Sequence, residues 1–207
     1  MLLAGSGNLQ AADTFDAELA QIQRQWAVIK YQTAEQSQDI AFERLSQTAH
    51  SLSERHPNRA ESLVWESIVL SSHAGSRRGL DKMGALSEVE QARDLLLKAE
   101  KIDATLLGGS VYTSLGALYA KVPGWPLGFG NKKKAHAYLQ KALALNPKGI
   151  DPNYFMGELL FEQNKYQDAY KMLQKAQQSP QRPMRKLADQ GRHKEIKKLM
   201  SKIKRFM

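Results

Sequence analysis

Residues 141–177 read KALALNPKGIDPNYFMGELLFEQNKYQDAYKMLQKAQ. Apolar residues recur here at helical spacing on both sides of two short breaks. The first break is Asn146-Pro147, followed by Asp151-Pro152, which reads as an N-cap with proline at the first helical position. The second is Asn164-Lys165, a short turn. Two helices therefore pair tightly, and a third ends just before them. Gly157 lets the first helix of the pair lie close to its partner, Ala169 and Ala176 do the same from the second, and Leu173 fills the space between.

The same spacing occurs once more upstream. Tyr112-x2-Leu115-Gly116-x2-Tyr119, Ala135-x3-Leu139-x2-Ala142 and Pro147 correspond to Met156-Gly157-x2-Leu160, Ala169-x3-Leu173-x2-Ala176 and Pro180. Both segments resemble the tetratricopeptide repeat, whose signature is an aromatic, Leu-Gly and Tyr in one helix, Ala-x3-Phe in the next, and a closing Pro. A weaker copy pairs AESLVWESIVLSS (60–72) with Ala92-x3-Leu96-x2-Ala99, with Trp65 and Ile68 in the places of Tyr112 and Leu115. The first pair, FDAELAQIQRQWAVIKYQ (15–32) with IAFERLSQTAHSLSERHP (40–57), is degenerate, as a terminal repeat is expected to be. In RHKEIKKLMSKIKRFM (192–207), Ile196, Leu199, Met200, Ile203 and Phe206 share one helical face that suits a cap on the open end of the stack. The expected fold is all-α: a right-handed solenoid of about four tetratricopeptide-like helix pairs with Gly-rich inter-helix insertions and a C-terminal capping helix. Residues 1–12 read as a flexible end or the remnant of an export signal, 13–181 as the helical domain, and 182–207 as the basic capping helix.

The insertions follow from the register. Gly157 to Ala169 is twelve residues, Gly116 to Ala135 is nineteen, and Val69 to Ala92 is twenty-three. Extra residues therefore fall in KVPGWPLGFGN (121–131) and in HAGSRRGLDKMGAL (73–86), predicting loops at 122–130 and 74–86 on one face of the solenoid. Tyr112 to Gln163 further resembles small exported bacterial tetratricopeptide proteins of the TatT type, associated with TRAP-type transporters. That resemblance implies a non-enzymatic periplasmic partner of a solute-binding protein, with oligomerisation and a hydrophobic ligand or pore among the implied properties.

The 207 residues carry a net charge of +9, 42% hydrophobic and 25% charged residues, and no cysteine. This composition suits a packed domain and excludes disulfides and thiolate metal sites. The charge is concentrated: residues 182–207 hold ten Lys or Arg and two acidic residues. Leu9-Gln10-Ala11 ahead of Ala12-Asp13 resembles the end of a secretory signal, giving an expected periplasmic or secreted location, with the cytoplasm as the alternative.

No residue pattern here points to catalysis. The five histidines, His50, His56, His73, His136 and His193, form no close ligand pair, and no catalytic residue, metal or cofactor is expected. Helix positions facing away from the partner helix would line a groove: Glu66, Leu70 and His73 in the second pair, Thr113, Ala117, Ala120 and Lys121 in the third, Tyr154, Glu158, Phe161 and Glu162 in the fourth. Trp125 and Phe129 would either lid that groove or anchor their own loop. Asn131 reads as an N-cap followed by Lys132, Lys133 and Lys134, and Arg77-Arg78 forms a second basic pair. Both are weak anion candidates beside the plainer reading of exposed cations. The expected function is a non-catalytic binding module, an exported partner in solute uptake, holding a partner protein or a small apolar ligand. The alternative is a scaffold docking its tail, Lys194, Lys197, Lys198, Lys202, Lys204 and Arg205, on an anionic surface or acidic partner. Nucleic acid is disfavoured, because Phe206 is the only aromatic among these cations.

Overall fold

The computed structural model describes the backbone of residues 6–77 and 82–207, with side chains from residue 14 onward except 78–83. The described residues form α1 (Ser6–Gln32), α2 (Glu35–Arg55), α3 (Ala60–Ser76), α4 (Lys82–Asp103), α5 (Leu106–Lys121), α6 (Lys132–Leu145), α7 (Ile150–Glu162), α8 (Tyr166–Gln177) and α9 (Lys186–Ile203), with one 3-10 turn at Pro183–Arg185. The helices pair as α1 with α2, α3 with α4, α5 with α6 and α7 with α8, and the pairs stack into the expected solenoid. Of the segment expected to be flexible or a signal remnant, residues 6–12 belong to α1, and residues 1–5 lie outside the described residues.

One repeated contact builds the stack. Ala92, Leu96 and Ala99, then Ala135, Leu139 and Ala142, then Ala169, Leu173 and Ala176 all have 0% exposure. Each leucine fills the space that the flanking alanines open, and in the last two pairs the facing helix meets it without a side chain. A Cβ on Gly116 would lie 2.6 Å from Leu139 Cγ, and one on Gly157 would lie 2.9 Å from Leu173 Cγ. The α1–α2 pair keeps the spacing but reverses the sizes, burying Leu45, Ala49 and Leu52. It therefore forms a separate core with Phe15, Ile22, Trp26 and Trp65.

Two local expectations need correction. Asp151 is not an N-cap: α7 starts at Ile150 after Gly149, which places the Asp151 carboxylate inside the first turn and free to reach elsewhere. The insertion at 74–86 is mostly helix, with only residues 77–81 between α3 and α4. Ala74 is buried and Leu86 and Val89 pack on the core, so the apolar period carries both helices past the repeat length. The insertion at 122–130 is a true loop. Gly130 N–H donates to Pro123 O at 2.8 Å and Asn131 N–H to Tyr119 O at 2.8 Å. A Cβ on Gly130 would fall 1.8 Å from Val122 O, so the two arms of the loop meet at a contact that admits no side chain.

The last helix does more than cap. Ile196, Met200 and Ile203 bury themselves in the main core against α7 and α8, as expected. The first half of α9 also packs on α1, at the other end of the stack. Ala188 joins the α1–α2 core, and a Cβ on Gly191 would lie 2.3 Å from Tyr31 Cδ1. A mid-helix glycine carries an entropic cost, offset here by the tyrosine ring lying on the helix backbone.

A pair of glycine substitutions tests the repeated contact. Gly116→Ala is expected to cost about 1–3 kcal/mol by overpacking against Leu139. Gly75→Ala, with nothing within 4 Å of the added methyl, is expected to be neutral or to stabilise by up to about 1 kcal/mol. Equilibrium urea denaturation measures both. Equal stability of the Gly116 variant and the parent would show that the close approach is not what holds the pair.

Candidate binding groove

The first helices of the four pairs, α1, α3, α5 and α7, sit side by side and form the inner row of the solenoid. α9 touches α1 and α7, the two ends of that row, and so bridges them. Its anchor is ionic. Asp151 of α7 accepts Arg192 Nε at 3.0 Å and Arg182 Nη1 at 2.9 Å. Asp189, which is 2% exposed, accepts the Arg182 backbone N–H and Nε, each at 2.9 Å. Arg192 also pairs with Glu195 at 2.5 Å, and the Tyr31 hydroxyl of α1 approaches the same carboxylate at 3.5 Å. The arginine planes finish the seal. Arg192 lies 4.3 Å over the Tyr154 ring and 4.8 Å over Phe155, while Arg185 lies 4.7 Å over Trp65 of α3.

The electrostatics follow from that packing. Burial pushes the Asp151 carboxyl up, but Arg192, Arg182 and Arg185 outweigh it and hold it below its ordinary value. Burial likewise works against a charged Arg192, and the surrounding Asp151 and Glu195 carboxylates reverse it, so its guanidinium is held more firmly charged. Burial raises the Tyr31 hydroxyl to about 12, which keeps it neutral.

The residues expected to line the groove divide into three groups. Lys121, Tyr154 and Glu158 do come together: Lys121 Nζ lies 2.9 Å from Glu158, and the Tyr154 hydroxyl is 3.4 Å from the same carboxylate. Phe161 packs beside Phe206 at 6.0 Å and under Lys202 Nζ at 4.9 Å, so the end of α9 covers it. The second group lies between helices rather than in the groove. Glu66 is 1% exposed and turned to α2, where Ser53 donates to it and His50 sits at 2.7 Å. His73 is held between Asp39 at 3.3 Å and Glu88 at 3.2 Å. On α3 it is Trp65 that meets the tail, under Arg185. Thr113 is buried, with its hydroxyl bonded back to Gly109 O at 3.2 Å.

The third group is the loop, where the two aromatics part company. Phe129 anchors it, edge-on to Tyr119 at 5.4 Å with Arg93 4.6 Å over its face. Trp125 is 90% exposed and lids nothing. Asn131 is the N-cap expected, accepting from Lys134 N at 2.9 Å. Of the following lysines, Lys132 pairs with Glu162 at 3.2 Å, Lys134 lies 5.3 Å over Tyr119, and Lys133 is exposed. Arg77 pairs with Glu88, and Arg78 lies outside the described residues.

Sequence reasoning missed the Asp151, Arg182, Asp189 and Arg192 network. A signal was present: the tail uses arginine at 182, 185 and 192 and, Arg205 apart, lysine after 193. Arginine suits buried bidentate pairs and lysine suits solvent. Two surface clefts, one between α1 and α2 beside Val28 and Ile29, the other along α4 beside Gln91 and Leu95, include none of the expected groove residues. Among the described residues no group of His, Asp and Glu is placed to hold a metal, and no helix is long and apolar enough to cross a membrane.

Comparison with known proteins bears on the fold and the repeat. Residues 127–188 match the tetratricopeptide repeat family model. The chain is similar to the crystal structure of a thermophilic TPR protein of Thermus thermophilus, with a TM-score of 0.56 and 19% identity over 91% of this chain and 93% of that one. No curated protein matches. The two matches support the tetratricopeptide repeat family, and at that identity the structural likeness concerns the fold.

The ionic anchor has a measurable pH dependence. Asp151 is depressed in the folded chain, so its contribution is present above its ordinary value of 3.8 and is lost as pH falls through the lower folded value. Arg192→Ala leaves Asp151 half-paired and is expected to cost about 3 kcal/mol or more at pH 7. Asp151→Asn should flatten the loss of stability below pH 3.8. Denaturant titrations across that range check both. An unchanged acid limb in the Asp151→Asn variant would remove Asp151 as its source.

Proposed function

We propose that this chain is a non-catalytic protein-interaction module whose inner face receives a helical segment, and that its own α9 occupies that face when no partner is bound. The observation that carries this reading is that α9 bridges α7 and α1, the two ends of the inner row. A row of paired first helices is the surface on which tetratricopeptide-type solenoids take peptides and helices. Here Tyr154, Phe155 and Phe161 supply aromatic anchors, and Lys121 and Glu158 supply a polar rim. A helix that binds this face in competition with α9 must replace the contacts of Arg192 and Ala188. The apparent affinity for a partner is then set by how often α9 is released.

The finer part of the proposal is that the partner belongs to solute uptake, as a periplasmic solute-binding protein, and that the chain acts after export. It is supported by the resemblance over Tyr112–Gln163 and by the signal-like residues 9–11. A small apolar ligand is the second candidate for the same face, since Tyr154 and Phe161 would serve either.

Photo-crosslinking in the native host tests both levels. With a benzophenone amino acid at Phe161, adducts to another protein are expected, increased in the Arg192→Ala background. The same probe at Lys98 on α4 is expected to give none. Mass spectrometry of the adduct then decides whether it is a solute-binding protein. Adducts from Lys98 alone, or no change on loosening α9, would contradict the inner-face site.

A further inference from the structure

A second surface lies apart from the ionic anchor of α9. It is the edge of the solenoid at the turns within the third and fourth pairs. The 122–130 loop emerges there, and so does the end of α9. Two contacts tie these pieces together: Lys132 at the start of α6 pairs with Glu162 at the end of α7, and Phe206 stacks on Tyr166 at the start of α8 with ring centroids 4.9 Å apart. Along this edge Trp125 is 90% exposed, Leu127 72%, Phe206 53% and Met207 66%.

The loop that carries two of them is held by its own backbone. Leu127 N–H donates to Gly124 O at 3.1 Å, Gly130 N–H donates to Pro123 O at 2.8 Å, and Phe129 is clamped between Tyr119 and Arg93. The anchored aromatic fixes the loop so that Trp125 and Leu127 stand in water. Their exposed side chains are not part of either core, and holding them there gains nothing for stability.

The charge around these residues is one-sided. Three carboxylates on the edge, Glu158, Glu162 and Asp168, are each paired with a lysine, at 2.9, 3.2 and 3.4 Å respectively. That leaves Lys133, Lys134, Lys165, Lys202, Lys204 and Arg205 as an exposed positive excess. An indole and aliphatic side chains presented on a rigid support, at an edge with an excess of cations, match one kind of partner well. Tryptophan partitions to the headgroup level of a bilayer, and juxtaposed lysines are drawn to anionic lipid.

We propose that this edge docks on the surface of an anionic lipid bilayer, with Trp125 and Leu127 entering the interface and the lysines meeting the headgroups. The loop is already folded, so little ordering entropy is lost on docking.

The full-length chain supplies its own probe. Of its three tryptophans, Trp26 and Trp65 are buried, so a change in emission on binding reports Trp125. With vesicles of about 30 mol% phosphatidylglycerol in phosphatidylcholine, the chain is expected to co-sediment and its emission to move to the blue. Pure phosphatidylcholine should bind at least about tenfold less, and about 0.5 M salt should release the protein. Trp125→Ser with Leu127→Ser, exposed positions where circular dichroism should show folding unaffected, should lose binding by at least about tenfold. Lys133→Gln with Lys204→Gln should do the same by charge alone. No co-sedimentation with the anionic vesicles, or full binding by the Trp125 and Leu127 variant, overturns the proposal. If the vesicles are ignored and a photoprobe at Trp125 captures a protein instead, the edge is a protein interface and the lipid assignment is wrong.

Discussion

The Asp151 carboxylate, set between Arg192 and Arg182, is the contact on which the arrangement of the molecule turns. Without it the four helix pairs would still stack, because the pairs are held by leucines and alanines packed close against the facing helix. The first half of the last helix, however, would be held only by Ala188 and by the Gly191 contact with Tyr31. Arg192 brings a charge beneath the Tyr154 and Phe155 rings, and only an aligned carboxylate makes that burial tolerable. Asp189 and Glu195 complete the pairing from α9 itself. The result is a helix fixed at both ends of a solenoid, by apolar packing on α8 and by an ionic clamp with a glycine contact on α7 and α1.

Much of this fold is legible in the sequence because tetratricopeptide packing is local. Ala-x3-Leu-x2-Ala recurs three times, and each copy is wholly buried. Gly116 and Gly157 are placed opposite the leucines, as their spacing from Ala135 and Ala169 requires. The first pair is harder to read because it keeps the spacing while exchanging large and small residues at Leu45, Ala49 and Leu52. The insertion near Gly75 misleads for a related reason. Glycines and arginines suggest a loop, but Ala74, Leu86 and Val89 continue the apolar period, and burial outweighs the glycine penalty.

The candidate site is less legible, since its register depends on contacts distant in sequence. Of the positions transferred from Gly116 to α7, Tyr154 and Glu158 meet Arg192 and Lys121, and Phe161 packs beside Phe206. On α3 the transfer fails: Trp65 meets Arg185 while Glu66 and His73 serve the α2 and α4 contacts, and on α5 the equivalent Thr113 is likewise buried. The occupation of the groove by the chain's own terminus has no local signature beyond the use of arginine rather than lysine at 182, 185 and 192. Those residues explain where the positive charge goes. The arginines of the tail's first part are taken up inside, and the lysines that follow join the exposed cations at the edge that carries Trp125.

The bridging of α7 and α1 by α9 is the central claim, and its most direct test is the contact between Tyr31 and Gly191, 160 residues apart in the chain. In proton NMR of the unmodified protein, the Tyr31 ring is expected to show strong nuclear Overhauser effects to the Gly191 α-protons. Ring currents should also move those protons well away from their usual glycine shift. Gly191 α-protons at the ordinary shift, with no cross-peak to any tyrosine ring, would place α9 elsewhere and contradict the account.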